Sequence, residues 1–523
     1  MKITTKINHN SYLFMKQSIY ILIALVIFVS CKKNGNDTVS ESSPNYPKIH
    51  YSSTNHNVGA PISLLFQNGI YSLFYKEFKL DKKVVCSTYL TTSKDLIHWQ
   101  TAQQVAFCKK DLNILNRTVV LNSQKSDAQK TLAALLVVDP DKNEENNNSY
   151  FKLSYSDNQG KIWTESEDKI EFPIKVKNDF NPSVLWDKIH AKWIMSLVDD
   201  QVVKIFSSLD LKKWTFESSI AKELQYTANI WLKATLFPLN DGNNWVMLVD
   251  QEFVNPRDGS SIQYFIGTFD GKSFSAPIST KSHWLDYGKD NIYNVVCAGL
   301  PANADPTVIG WKNNIDYTMI GSMKPFWGSF TIPRTLMLDE YSGEKVLASQ
   351  PVKSLSGIES KSISLQNLDV TENLDISNRI TIPLTPSIVT IKFKTSEKTC
   401  LTFPAKYGIQ FENDEAEKLI VGYDAFKEWY FVDRTNFVIA KENSQFKGMD
   451  IMPSYNSDSV MTLKMIMDDS SIELFTTNGK QIMTENFTTV SKFKKISLFA
   501  ENGMIKVNEL TVQSLACIWK KKE

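Results

Sequence analysis

A turn that returns four times restricts this chain more than any other feature. It reads SKDLIHW ending at Trp99, SDNQGKIW ending at Trp163, SLDLKKW ending at Trp214 and TFDGKSF ending at Phe274, at spacings of 64, 51 and 60 residues. Each copy sets a Ser or Thr and an Asp ahead of the turn and an aromatic behind it. The Asp can accept backbone N–H groups of the turn while the aromatic packs beneath. Between the copies run short alternating apolar segments, such as 70–75 (IYSLFY) and 193–197 (WIMSL). That period of two predicts strands, and no long amphipathic helix interrupts them. A repeat of about sixty residues, each holding several strands, predicts propeller blades. Residues 48–350 have room for five of them; the alternative is a two-sheet sandwich with coincidental turns. Beyond residue 355 the turn pattern stops but strand-like runs continue, as in 388–393 (IVTIKF) and 461–466 (MTLKMI). The expected class is therefore all-β: a five-bladed β-propeller over 48–350 followed by a C-terminal β-sandwich over 351–523.

The N-terminus reads as an address. Residues 19–29 (IYILIALVIFV) form an apolar run too short to span a bilayer and right for a signal-peptide core, with Lys16 as its positive flank. The preceding residues are mostly polar, so translation is expected to begin at Met15. The run ends in Phe28-Val29-Ser30-Cys31, which resembles a bacterial lipobox with Cys31 as the lipidated residue. Residues 1–31 are thus read as a signal peptide with a lipobox, and 32–47, rich in Ser, Asn and Lys, as a flexible tether. An ordinary signal peptide with a chance Cys is the competing reading. The expected location is the outer membrane, at the cell surface.

The charge balance is 58 Lys+Arg against 57 Asp+Glu, net +1, which argues against a nucleic-acid partner. Six Cys without a CxxC make no disulfide scaffold, and the six His show no metal-ligand spacing, so neither a metal nor another cofactor is expected.

Several strings, taken in order, resemble glycoside hydrolase family 32, the fructan and sucrose hydrolases. They are SKDLIHW (93–99), IGTFDGKSF (266–274), WLDYGKD (284–290), IGW (309–311), IPRTL (332–336), VDRT (432–435) and DSSIELF (469–475). The resemblance covers nearly all of 48–519 and implies a five-bladed propeller followed by a β-sandwich. It also implies a retaining hydrolase, which needs two carboxyl groups flanking the scissile bond. In the family the nucleophile is the Asp of an Asn-Asp-Pro-Asn-Gly string. Here the corresponding stretch is VGAPIS (58–63), with Ala60 in the nucleophile's place. The family's acid is the Glu of Trp-Glu-Cys-Pro-Asp-Leu-Phe-Pro-Leu. Here WLKATLFPL (231–239) puts Leu232 there. The family's Arg-Asp-Pro, whose Asp stabilises the transition state, is Phe180-Asn181-Pro182. Lys76 stands where Gln follows the Phe-Tyr pair, and Phe-Ser-Gly-Ser becomes Leu115-Asn116-Arg117-Thr118. A methyl group cannot attack an anomeric carbon and Leu has no proton to give, so in this register the retaining mechanism is expected to be lost outright.

The resemblance places Trp284, Asp286, Asp290, Tyr293, Trp311 and Trp327, with Asn181 and Lys76, near the sugar pocket; no catalytic residue is assigned. Aromatic faces stack on sugars and carboxylates accept hydroxyl bonds. Asp433, Arg434 and Glu473 read as structural or interdomain residues. The expected function is non-catalytic binding of a fructan such as levan or inulin by a membrane-anchored lipoprotein, beside a glycan importer and a neighbouring glycosidase. The alternative is an active hydrolase with relocated carboxylates, drawn from Asp179, Glu223, Asp250, Glu252 and Asp290.

Overall fold

The computed structural model describes residues 45–519, apart from 54–56, 81–83, 109–111, 123–130, 140–147, 221–229, 253–260, 278–281, 315–327, 396–403, 443–445, 447 and 457. The apolar run 19–29, Cys31, Glu223 and Trp327 lie outside the described residues, as does the side chain of Glu252. The architecture is a β-propeller followed by a β-sandwich.

Among the described residues, the strands of 57–351 fall into five antiparallel meanders of four principal strands. Their innermost strands are Asn57–Gln67, Asn113–Leu121, Ser183–Asp187, Ile230–Pro238 and Ile292–Ala298. A short parallel pairing of Leu64 and Leu65 with Cys297 and Ala298 joins the first meander to the fifth and closes the ring. Apolar clusters fill the spaces between neighbouring meanders. Phe74 and Leu136 lie between the first and second, Leu135 and Met195 between the second and third. Ile194 and Val249 follow, then Leu248 and Val308, and Leu64 with Ile309 completes the circle. Strands such as Leu132–Asp139 and Lys192–Asp199 thus bury side chains on both faces, one row toward each neighbouring blade. That is why the inner strands read as nearly continuous apolar runs.

The recurring turn works as its chemistry predicts. The Asp95 carboxylate accepts the backbone N–H groups of Ile97 (3.0 Å) and His98 (2.8 Å). Asp210 does the same for Lys212 and Lys213, and Asp270 for Lys272 and Ser273. In the second copy the acceptor is Asn158, through Ile162 N at 2.8 Å, rather than the Asp beside it. An amide oxygen serves as well, because the acceptor needs lone pairs and no charge. The next residue is left-handed in all four: Leu96 (φ 68°), Gln159 (60°), Leu211 (66°) and Gly271 (88°). Two of the tryptophans close their turns by donating Nε1–H to a turn carbonyl, Trp163 to Gly160 (2.7 Å) and Trp214 to Leu211 (3.0 Å).

After the strand Glu344–Pro351 a short 3-10 turn, Lys353–Ile358, leads into two six-stranded sheets that enclose one apolar core. Residues 45–47, expected to end a tether, are buried instead. Asn45 bonds to Thr489, Lys48 and Ile49 donate backbone N–H to Asp468, and Trp519 Nε1 donates to the Pro47 carbonyl. These partners lie more than 400 residues away, so nothing local in the sequence announces them.

Candidate functional site

Four of the five innermost strands break register near their first residues. Gly59 and Ala60 bulge between the pairs Val58–Glu77 and Pro61–Tyr75, opposite Lys76. Leu115 is unpaired between Ile114 and Asn116, and Leu232 between Trp231 and Lys233. Tyr293 and Asn294 bulge between Ile292 and Val295. In the third blade Asn181-Pro182 precedes the strand instead. Bulges turn side chains away from the regular alternation and concentrate beside active sites. Here they form a ring around the propeller axis that carries Ala60, Leu115, Asn181, Leu232 and Tyr293. Gly59 is required in the first bulge, because a Cβ there would meet the Phe78 ring at 2.4 Å.

Side chains tie this ring at every junction between blades. Lys76 Nζ donates to Asn116 Oδ1 (3.1 Å), and Asn116 Nδ2 donates to the carbonyl of Phe180 (2.9 Å), just before Asn181. Gln201 Oε1 accepts Trp231 N–H (2.7 Å), just before Leu232. The Asp250 carboxylate receives the backbone N–H groups of Asn294 and Tyr293 and so spans the fourth and fifth blades. Trp311 Nε1 donates to the carbonyl of Val58 (2.8 Å), two residues before Ala60. The belt thereby fixes the backbone beside Ala60, Asn181 and Leu232. Burial pushes the Asp250 carboxyl up to about 6, against the pull of Lys233 and those backbone N–H groups. Tyr293 holds φ 53° and lies stacked over Trp311, centroids 6.4 Å apart. Ala60, Leu232 and Tyr293 are part-buried and pack against one apolar cluster, of which Trp311 is a buried member.

Of the residues expected at the sugar pocket, the structure places Lys76, Asn181 and Tyr293 at this ring. Trp311 stands behind it, with its indole N–H already engaged. Trp284, Asp286 and Asp290 are elsewhere, at the junction with the sandwich. Trp284 packs against the sandwich core. Asp286 accepts Arg334 Nη1 (2.8 Å), Thr484 Oγ1 (2.6 Å) and Thr484 N–H (2.9 Å). Asp290 accepts Arg434 Nη1 (3.1 Å) and Asn486 N–H (2.6 Å). Both carboxylates are buried and engaged at this junction, Asp286 by Arg334 and Thr484 and Asp290 by Arg434 and Asn486. Arg434 and Glu473 belong to the same junction, as the sequence implied. Glu473 takes Arg334 Nη2 at 2.6 Å and His50 Nε2 at 2.9 Å. Asp179 is exposed. Gln201 was not singled out by sequence; it sits in an ordinary hairpin, and only the packing of blade on blade brings it to Trp231.

The N-terminal domain model of glycosyl hydrolases family 32 matches residues 50–351, and the C-terminal model of that family matches 353–514. A levanase of Bacillus subtilis (strain 168) is 26% identical over 518 residues, covering 96% of this chain and 75% of that protein. An extracellular exo-inulinase of Aspergillus niger is 24% identical, covering 90% of this chain and 95% of its own. Among solved structures, an exo-inulinase from Aspergillus awamori superimposes with a TM-score of 0.79 at 22% identity, over 92% of this chain and 100% of that one. Two family models spanning nearly all of the described residues place this chain: it belongs to glycosyl hydrolases family 32.

Proposed function

We propose that this protein binds a fructan, levan or inulin, without cleaving it. The observation that carries the reading is the pair of apolar residues at two bulges of the ring, Ala60 and Leu232. In the register read from the strings around them, they occupy the positions of nucleophile and acid. Without those two groups a retaining displacement has neither an attacking atom nor a proton for the leaving oxygen. The belt of hydrogen bonds supports a binding role, since a ring held at five junctions is already ordered before a ligand arrives. Tyr293 over Trp311 offers an aromatic face for a sugar ring, and Lys76 and Asn181 offer polar partners. The levanase and inulinase relatives support a fructan as the ligand class. Hydrolysis through relocated carboxylates finds little support at the ring: Asp290 is held by Arg434, and Asp250 faces backbone N–H groups.

In this reading Cys31 carries a lipid that holds the protein at the outer membrane, on the cell surface. There it would gather fructan for a glycan importer and a neighbouring glycosidase. Affinity electrophoresis and calorimetry with levan and inulin test the binding, and a reducing-sugar assay tests the inactivity. Retarded migration with no sugar released is expected. Release of fructose from either polymer, or migration unaffected by both, overturns the proposal.

A further inference from the structure

The propeller encloses a second feature that the sugar ring does not use. A central cavity of about 370 Å³ runs between the innermost strands. Its lining includes neither Ala60, Asn181, Leu232 nor Tyr293. It begins below the bulges and reaches the far turns at Lys188, Ile189, Asn240 and Pro301, which are exposed, so it opens on the opposite face. Most of its wall is apolar, from residues such as Ile62, Leu65, Val119 and Leu236.

Two polar side chains of strand Ile230–Pro238 break that wall. Lys233 and Thr235 are two residues apart, hence on one face of the strand, and both line the cavity. Lys233 is only 6% exposed. Its ammonium makes one hydrogen bond among the described residues, to the Asn294 carbonyl at 3.4 Å, which is long for a charged donor. It forms no ion pair within 4.0 Å among those residues. Asp250 attracts it from farther off while its carboxylate takes the backbone N–H groups of residues 293 and 294. The Thr235 hydroxyl is buried with no hydrogen-bond partner among the described residues. Nearer the mouth, Asp187 is already bonded to His190 Nδ1 (2.6 Å). A buried ammonium and a buried hydroxyl short of partners each carry a desolvation cost that a ligand can offset.

We propose that this channel binds a small organic anion, a carboxylate with an apolar tail, its head against Lys233 and Thr235. At the buried position of Lys233 and Thr235 one cation and one hydroxyl match a monoanion, whereas a phosphate dianion calls for more donors; the other lining cation, Lys188, is at the exposed end. The apolar wall accepts the tail, and the volume lies within the range of small-molecule sites. The proposal does not rest on fructan binding at the ring.

The test is calorimetric titration of the whole protein with acetate, hexanoate and benzoate, with hexanol and inorganic phosphate as controls. Hexanoate and benzoate are expected to saturate and to bind more tightly than acetate, each added methylene tightening binding about fourfold. Lys233→Met, which keeps the volume of the side chain, should weaken hexanoate roughly tenfold or more, and Thr235→Val several-fold. No saturable carboxylate binding, tighter binding of phosphate or hexanol, or unchanged affinity in Thr235→Val overturns the proposal, and Thr235→Val decides should Lys233→Met not fold.

Discussion

Replacing Arg334 with Met isolates the ion cluster that joins propeller to sandwich. Arg334 is fully buried and donates to Asp286 (2.8 Å), twice to Glu473 (3.1 and 2.6 Å) and to Thr484 (2.6 Å). Burial alone would raise the Glu473 carboxyl, but Arg334 and His50 outweigh it and hold it at about 2, against an ordinary 4.5. A difference of that size is worth about 3 kcal/mol at neutral pH. Its sign follows from the depressed value: the stabilisation is present above the unfolded pKa and is lost as pH falls toward about 2. Arg334→Met takes the guanidinium from two buried carboxylates, Asp286 and Glu473, and removing one partner of a buried ion pair usually costs about 3–5 kcal/mol. Urea unfolding at pH 7 should therefore show a loss of about 3 kcal/mol or more. Without the guanidinium the Glu473 carboxyl rises, so the variant recovers part of its deficit relative to the parent as pH is lowered toward 4. Adding Glu473→Gln should likewise recover part of it, since the neutral amide costs less to bury. A deficit under 1 kcal/mol at pH 7, or one that grows on acidification, would refute the reasoning.

Three other outcomes are expected. Gly288→Ala drives a Cβ to 2.1 Å from the Thr484 carbonyl and should loosen the two domains, read as faster proteolytic cleavage within 351–359. Asp210→Ala removes the acceptor of two backbone N–H groups in its turn and should cost about 1–2 kcal/mol in urea unfolding, whereas Asp210→Asn should recover most of it, as Asn158 does in the second copy. Trp311→Phe deprives the Val58 carbonyl of its indole donor; about 1 kcal/mol of stability and a measurable part of the levan affinity should go together, measured by unfolding and by calorimetry.

Much of the fold could be read along the chain because its causes are local. A Ser or Thr, a turn acceptor and an aromatic at fixed offsets announce a hairpin wherever they occur. Four such turns at similar spacing indicated blades, and the loss of the pattern after residue 355 indicated the sandwich. The places of Ala60, Asn181 and Leu232 were assigned by resemblance, from the strings around them; the structure adds that Ala60 and Leu232 lie at bulges.

The roles of two carboxylates were not legible. In WLDYGKD (284–290) the two acids look like sugar ligands, yet their partners, Arg334, Thr484 and Arg434, arrive from 48 to 198 residues away. A carboxylate's identity tells what it can accept, and only its burial tells from whom. The same holds for Trp311, whose single donor went to Val58, and for Lys233 and Thr235, whose shortage of partners exists only once five blades enclose them. Sequence alone determined the strand-and-turn chemistry and the chemical groups each segment carries, since both follow from short-range pattern. Tertiary structure decided which of those groups remain available to a ligand, since hydrogen-bond capacity is finite and is allotted between residues far apart in the chain.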